Sequence, residues 1–181
     1  MRRAARVFAN LLLVALLALA AVVIWERYLA PPVEPPALAP LAGQVDRILI
    51  EKGARRLTVF REDVALRSYR VALGFAPEGE KERQGDGKTP EGLYRIDRRN
   101  PASAYHLSLG IDYPQSDDVS RARAGGYSPG GDIFIHGQPN GFGSVATLPN
   151  DWTAGCIAVS DAQIEELWRV TPVGTAVEIR P

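Results

Sequence analysis

Cys156 is the only cysteine in this 181-residue chain, and it lies in the stretch Asp151-Trp152-Thr153-Ala154-Gly155-Cys156-Ile157-Ala158-Val159. A thiol attacks a carbonyl as thiolate, so a cysteine nucleophile needs a base or positive surroundings to ionise it near neutral pH. Histidine supplies that base because its ordinary pKa lies near the working pH. The chain has two, His106 and His136. His136 ends the apolar run Asp132-Ile133-Phe134-Ile135-His136, is followed by Gly137 and precedes Cys156 by 20 residues. Gly155, next to the cysteine, lets backbone approach closely, as a substrate carbonyl or an oxyanion pocket requires. Taken singly, such a cysteine reads as a small buried hydrophobe and a histidine as structural. Together, flanked by glycines, they point to covalent catalysis. Two histidines and one cysteine, with no pair at zinc spacing, give no expectation of a metal or another cofactor.

The segments before this constellation place it outside the cytoplasm. Residues 1–6 carry Arg2, Arg3 and Arg6, and an apolar run follows from Val7 to Trp25, interrupted by Asn10. Arginines ahead of such a run keep the N-terminus cytoplasmic and send the rest across the membrane. The run approaches the ~20 residues a spanning helix needs, and Ala18-Leu19-Ala20 is similar to a signal-peptidase site. The expectation for residues 7–25 is a transmembrane anchor or a signal peptide. The domain then stands beyond that membrane, tethered to it, or is released if the signal is cleaved. Residues 26–43 include Ala30-Pro31-Pro32-Val33-Glu34-Pro35-Pro36-Ala37-Leu38-Ala39-Pro40, a proline density that favours an extended spacer. Residues 44–181 are long enough for one domain with its own core. In an exported chain, a cysteine without a partner is buried, bonded to another chain or kept for its reactivity.

Charge adds an exclusion. The chain has 21 basic and 21 acidic residues. Residues 1–43 hold Arg2, Arg3, Arg6 and Arg27 against Glu26 and Glu34, leaving 17 basic and 19 acidic side chains in 44–181. No basic stripe interleaves with aromatics, so nucleic acid is not an expected partner. Gly87-Lys88-Thr89 has the ending of a phosphate-binding loop, but that motif needs glycine where Glu82 stands. Pro90 also fits poorly with the helix whose N-terminus would hold the phosphate.

Strands must position the pair. Ile48 and Ile50, Leu57 and Val59, and Tyr69, Val71 and Leu73 alternate with polar neighbours, the period of half-buried strands. Lys52-Gly53-Ala54 and Arg61-Glu62-Asp63 are the expected turns. Leu93–Ile96, Tyr105–Ile111, Asp132–His136 and Thr175–Ile179 read as further strands. One helix is clear: Ser160 caps it, Gln163 completes a capping box, and Ile164, Leu167 and Trp168 share a face. A shorter helix is placed near Val119–Arg123 within the Gly-, Ser- and Asp-rich stretch 114–131. The fold expected is a mainly β domain, sandwiched or closed, with one C-terminal helix.

These residues resemble the L,D-transpeptidase catalytic domain, also called YkuD. That family's signature is His-Gly, a loop, then Ser/Thr-His-Gly-Cys, a hydrophobic residue and usually Asn or Arg. This chain has His136-Gly137, 16 intervening residues from His136 to Thr153, and Thr153-Ala154-Gly155-Cys156-Ile157. Gly85-Asp86-Gly87-Lys88-Thr89-Pro90-Glu91-Gly92 is similar to the family's upstream turn. Tyr105-His106-Leu107-Ser108-Leu109 before Asp112-Tyr113-Pro114 is similar to its middle segment. Two positions depart: Ala154 replaces the motif's second histidine, and Ala158 its Asn or Arg. The resemblance is to the branch reading Asp-Trp-Thr-x-Gly-Cys-Ile-Ala-Val.

The resemblance implies an enzyme acting on peptidoglycan stem peptides through a Cys156 thioester, at the periplasmic face of the inner membrane or, if the signal is cleaved, in the periplasm. His136 would be the base and acid, the Gly137 carbonyl its orienter, and Gly155 a backbone oxyanion donor beside Cys156. Thr153, Trp152 and His106 are candidate substrate contacts. An amine of a second stem or of a lipoprotein would accept the acyl group in an L,D-transpeptidase. Water would do so in an endopeptidase or carboxypeptidase on the same scaffold, and an inactive peptidoglycan-binding module is the third alternative.

Overall fold

The computed structural model describes residues 14–21, 39–143 and 146–181, which divide into a unit ending at Ala39 and a second over Pro40–Pro181. In the first, residues 14–21 are helical. Among the described residues no helix is long and apolar enough to cross a membrane. Most of the expected anchor, 7–13 and 22–25, and most of the proline-rich spacer lie outside the described residues.

Among its described residues the second unit carries eight strands and two helices. In chain order they are β1 (Arg47–Glu51), β2 (Arg56–Arg61), β3 (Val64–Arg70), β4 (Gly92–Ser103), β5 (His106–Ile111), α1 (Ser116–Ala124), β6 (Phe134–His136), β7 (Ile157–Ala158), α2 (Asp161–Val170) and β8 (Ala176–Arg180). The strands form one sheet in the order β3-β2-β1-β8-β4-β5-β6-β7, antiparallel except for the parallel pairs β1–β8 and β6–β7. The sheet bends back on itself. Residues following β3 reach the opposite end through the isolated bridges Ala72↔Ala158 and Gly74↔Thr153. The expected β-sandwich or barrel is thus a single sheet whose two ends meet.

Alternation built the core. Ile48, Ile50, Leu57, Leu73, Ile96, Leu109, Ile111, Ile135 and Ile157 are essentially inaccessible, which is the hydrophobic driving force for closing the sheet. Glu62 and Asp63 adopt φ of 49° and 63° between β2 and β3, the two-residue hairpin turn that needs positive φ at both positions. Helix α2 packs on β5 and β6 through Ile164 and Leu167, both fully buried. Its capping box is present, with Gln163 N–H donating to Ser160 Oγ (3.3 Å) and Ser160 N–H to Gln163 Oε1 (3.0 Å).

Three expectations change. Helix α1 is a second helix of the domain and begins three residues before the expected Val119. Its capping box runs from Gln115 to Asp118, whose carboxylate accepts the Gln115 N–H at 3.0 Å. The strand expected over Leu93–Ile96 continues to Ser103. It pairs first with β8 and then, through bulges, with β5, a continuation hidden by the polar run Asp97-Arg98-Arg99-Asn100. The strand ending at His136 starts at Phe134 and not at Asp132, because Asp132 has φ of 54° and leaves the extended region.

Candidate active site

The parallel pairing of β6 with β7 sets Ile135 opposite Ile157 and His136 opposite Ala158. Strand side chains alternate between faces. Ile135 and Ile157 face the core at 0% exposure, so Phe134, His136 and Ala158 fall on the other face. By the same alternation Cys156, one residue before Ile157, shares that face. Two strands joined by a 20-residue connection thus bring His136 and Cys156 to one end of one surface.

The cysteine turn is fixed from several sides. Asp151 receives Arg55 Nε and Nη2 at 2.9 and 2.8 Å and the Leu73 N–H at 2.8 Å. Thr153 N–H donates to Leu73 O (3.1 Å) and Phe75 N–H to Thr153 O (2.9 Å). Within the turn, Thr153 Oγ1 donates to Cys156 O at 2.7 Å and accepts the Gly155 N–H at 3.1 Å. Gly155 has φ of 140°, and a Cβ there would stand 2.6 Å from the Lys88 carbonyl oxygen. Glycine at 155 therefore serves close packing against the Gly85–Thr89 segment. That segment is itself a braced turn: the Asp86 carboxylate accepts Lys81 Nζ (2.7 Å) and the N–H groups of Glu82, Arg83 and Lys88 (2.9, 3.0 and 3.1 Å).

His136 is 3% exposed. Its Nδ1 lies 2.7 Å from Gly137 O. A carbonyl only accepts, so this contact puts the proton on Nδ1 and leaves Nε2 with its lone pair. Burial lowers the pKa of the imidazole, and the Gly137 carbonyl opposes this only in part, so the ring is neutral at neutral pH. Tyr105 stacks on it at 4.6 Å between centroids, and Trp152 meets it edge-on at 5.7 Å. The Trp152 indole Nε1 is buried with no hydrogen-bond partner among the described residues.

The Cys156 thiol is half-buried and free, donating weakly to Asp132 O at 3.5 Å. Burial pushes its pKa up. The Phe134 backbone N–H, Lys81 and Arg98 pull it down, while the Asp132 carboxylate adds to the rise. At rest the thiol and the imidazole are therefore both neutral. Two open clefts flank the turn. One of about 300 Å³ includes Asp132, Ile133 and Ala154 in its walls. The other, about 340 Å³, includes Ala72, Leu148, Ala158 and Ser160. The two alanines that depart from the family signature each line one cleft.

Other candidates sit differently from their expected roles. The Gly155 N–H, expected as an oxyanion donor, is taken by Thr153. Thr153, expected at the substrate, is 4% exposed and closes the turn. His106 opens β5 with φ of 66° and pairs its Nε2 with Glu165 Oε1 at 2.8 Å; its Cβ neighbours Gly137, but its ring is engaged by α2. Tyr105, a residue without an expected role, is the closest aromatic partner of His136. No local pattern marks it, because it reaches the ring from the turn between β4 and β5. The clamp of Asp151 by Arg55 spans 96 residues and is equally invisible to local patterning.

Comparison with known proteins agrees with this geometry. The profile of the L,D-transpeptidase catalytic domain, YkuD, matches residues 45–179. The chain is 29% identical over 106 residues to the Escherichia coli (strain K12) protein YafK, covering 58% of this chain and 36% of that one. The crystal structure of the helical cell shape determining protein Pgp2 from Campylobacter jejuni superposes with a TM-score of 0.57 at 28% identity, over 76% of this chain and 48% of Pgp2. Bd1075 from Bdellovibrio bacteriovorus shares the fold, with a TM-score of 0.53 at 24% identity over 77% of this chain and 51% of that one. The chain thus spans about half or less of the length of these relatives. With the matched profile covering most of its length and every strand of the sheet, the chain belongs to the YkuD family of L,D-transpeptidase catalytic domains.

Proposed function

We propose that this protein is an L,D-transpeptidase that acts on peptidoglycan stem peptides through a thioester on Cys156. The observation that carries the reading is the His136 Nδ1 contact with Gly137 O. It leaves Nε2 as an acceptor on the face that the alternation of β6 and β7 gives to Cys156. In the acylation step Nε2 takes the thiol proton as Sγ bonds to the carbonyl carbon of the stem's diamino-acid residue. The amide C–N bond then breaks, and the proton passes from Nε2 to the departing amine of the D-residue. In the second step an acceptor amine, from another stem or a lipoprotein, attacks the thioester. Its proton goes to Nε2, the C–S bond breaks, and the thiolate is reprotonated. With the Gly155 N–H engaged, the Cys156 N–H is the oxyanion donor of this scheme; such a donor contributes on the order of 3 kcal/mol to the transition state.

A second reading, hydrolysis of the same bond, is favoured by the two clefts at Ala154 and Ala158. Their methyl side chains leave the thioester open to water. The proposal also keeps the exported location, with residues 7–25 as the membrane segment. Purified protein incubated with tetrapeptide muropeptides and with L,D-crosslinked dimers, and followed by mass spectrometry, tests both readings. New crosslinks or D-amino-acid exchange mark transfer; loss of dimers or of terminal D-alanine without exchange marks hydrolysis. Cys156→Ala is expected to abolish either while leaving the circular dichroism spectrum unchanged. Full activity in that variant would remove the thiol from the mechanism.

A further inference from the structure

The cleft beside Ala154 carries a buried cation that the chemistry above does not use. Its walls include Lys81, Gln84, Ser128, Asp132, Ile133 and Ala154, with glycines between them. It adjoins the thiol through Asp132, whose carbonyl accepts the Cys156 S–H, and through Ile133, whose Cδ1 would stand 3.3 Å from a Cβ at Gly155. Lys81 is 3% exposed. Two of the three ammonium protons have partners, Asp86 Oδ1 at 2.7 Å and Arg83 O at 3.1 Å, which leaves donor capacity. The Asp86 carboxylate is in turn met by three backbone N–H groups besides Lys81, so it does not depend on the lysine alone for compensation. The acidic side chain in the wall, Asp132, is drawn outward by Arg98 at 3.0 Å and is 89% exposed. Gln84 and Ser128 add an amide and a hydroxyl at the rim, and the two wall segments are tied by Gln84 N–H to Ser128 O at 2.8 Å. A wall of glycines and one alanine leaves backbone and cation, not bulk, to meet a ligand.

We propose that this cleft is a carboxylate subsite: Lys81, with Gln84 and Ser128, receives a carboxylate of the peptide beside the bond that Cys156 attacks. This deepens the reading of the Cys156 site and rests on it. A charge-assisted contact of this kind changes affinity by ~10- to 100-fold. Two carboxylates of a stem peptide have this chemistry, the C-terminal one of the leaving D-residue and the free one on the diamino acid.

Binding to the full-length Cys156→Ala protein, measured by calorimetry, reads the subsite without needing turnover. The ligands are a synthetic tetrapeptide stem, its C-terminal amide, and the stem amidated at the diamino-acid carboxylate. One amide is expected to bind ~10- to 100-fold more weakly than the free acid, and the arm that weakens identifies which carboxylate is held. Lys81→Met is expected to remove that difference. Because Lys81 also braces Asp86, Ala154→Glu is a second variant at an exposed position. It is expected to weaken the acid and spare the amide, while Ala154→Gln, of the same shape, does not discriminate. Equal binding of acid and both amides to the parent protein overturns the subsite. Turnover of wild-type protein on the same three peptides separates this from the larger reading: acid and amides processed equally sink the subsite alone, whereas acid-selective binding with no Cys156-dependent turnover keeps the subsite and sinks the acyl-enzyme.

Discussion

Alkylation of Cys156 is the most direct check on the electrostatics of the site. An ordinary free thiol, with a pKa near 8.5, is about 3% thiolate at pH 7. Burial raises Cys156 above its ordinary value despite the Phe134 N–H, Lys81 and Arg98, so its thiolate fraction at pH 7 is smaller. His136 moves the other way, its charged form disfavoured by burial, so it has no positive charge at pH 7 with which to hold a thiolate. The unliganded protein is expected to react with iodoacetamide slowly at pH 7. The rate should rise about tenfold per pH unit from pH 6 with no plateau below the ordinary thiol pKa. Since Cys156 is the only cysteine, loss of free thiol reports this one residue, and intact mass confirms single modification. In His136→Gln, the profile around pH 7 should be unchanged, because a neutral imidazole contributes no charge there. A plateau below pH 7 that disappears in His136→Gln would refute the reasoning: it would mean that the resting site holds a thiolate–imidazolium pair. The physical consequence is that the proton transfer happens only as the substrate carbonyl arrives, with the base already in the correct tautomer.

Three further outcomes follow from the same geometry. Gly155→Ala forces an L side chain to φ of 140° and a Cβ to within 2.6 Å of Lys88 O; strain of ~1–3 kcal/mol should displace the turn, and turnover should fall on the order of 100-fold, with no loss counting against a preset turn. Asp151→Asn weakens the contact with Arg55 and keeps only part of the support to Leu73; denaturant titration should show a loss of ~1–3 kcal/mol and kcat should fall more than KM rises. For Asp86, burial acts to raise the pKa, but Lys81 and the N–H groups of Arg83, Glu82 and Lys88 outweigh it and bring it to about 2. A carboxyl depressed in the folded state contributes stability above its unfolded pKa and loses it as pH falls towards about 2. Asp86→Asn should therefore lower stability by about 2 kcal/mol at pH 7 and flatten the acid limb of the stability curve, which an unchanged limb would contradict.

Local patterning carried the reading a long way where one physical signal dominated. Alternation at Ile48–Ile50 and Leu57–Val59 specified buried strands because a period of two can satisfy only one buried face. Ser160 and Gln163 marked the start of α2 because orphan N–H groups need acceptors within a few residues. The same logic was available for α1 in Gln115 and Asp118, but the glycines, serines and aspartates around it masked the helix's start, so the expected helix began at Val119 and not at Ser116. The length of β4 was hidden by polar residues at 97–100, which belong to a strand exposed on much of its surface. His136 and Cys156 were legible because their types are rare in this chain and their spacing is the family's.

What the sequence determined by itself is therefore chemistry: one thiol, a histidine ending a strand, glycines beside both, and a family signature with alanine at two of its positions. Only the tertiary structure decided how that chemistry is held. The tautomer of His136 depends on the direction of one carbonyl, the availability of the Gly155 N–H on where Thr153 turns its hydroxyl, and the stacking of Tyr105 on a hairpin from another strand pair. The Arg55–Asp151 clamp and the Lys81 cleft join segments tens of residues apart. Such contacts arise from the closure of the sheet, a long-range packing event driven by the whole core, so no window of the sequence contains them.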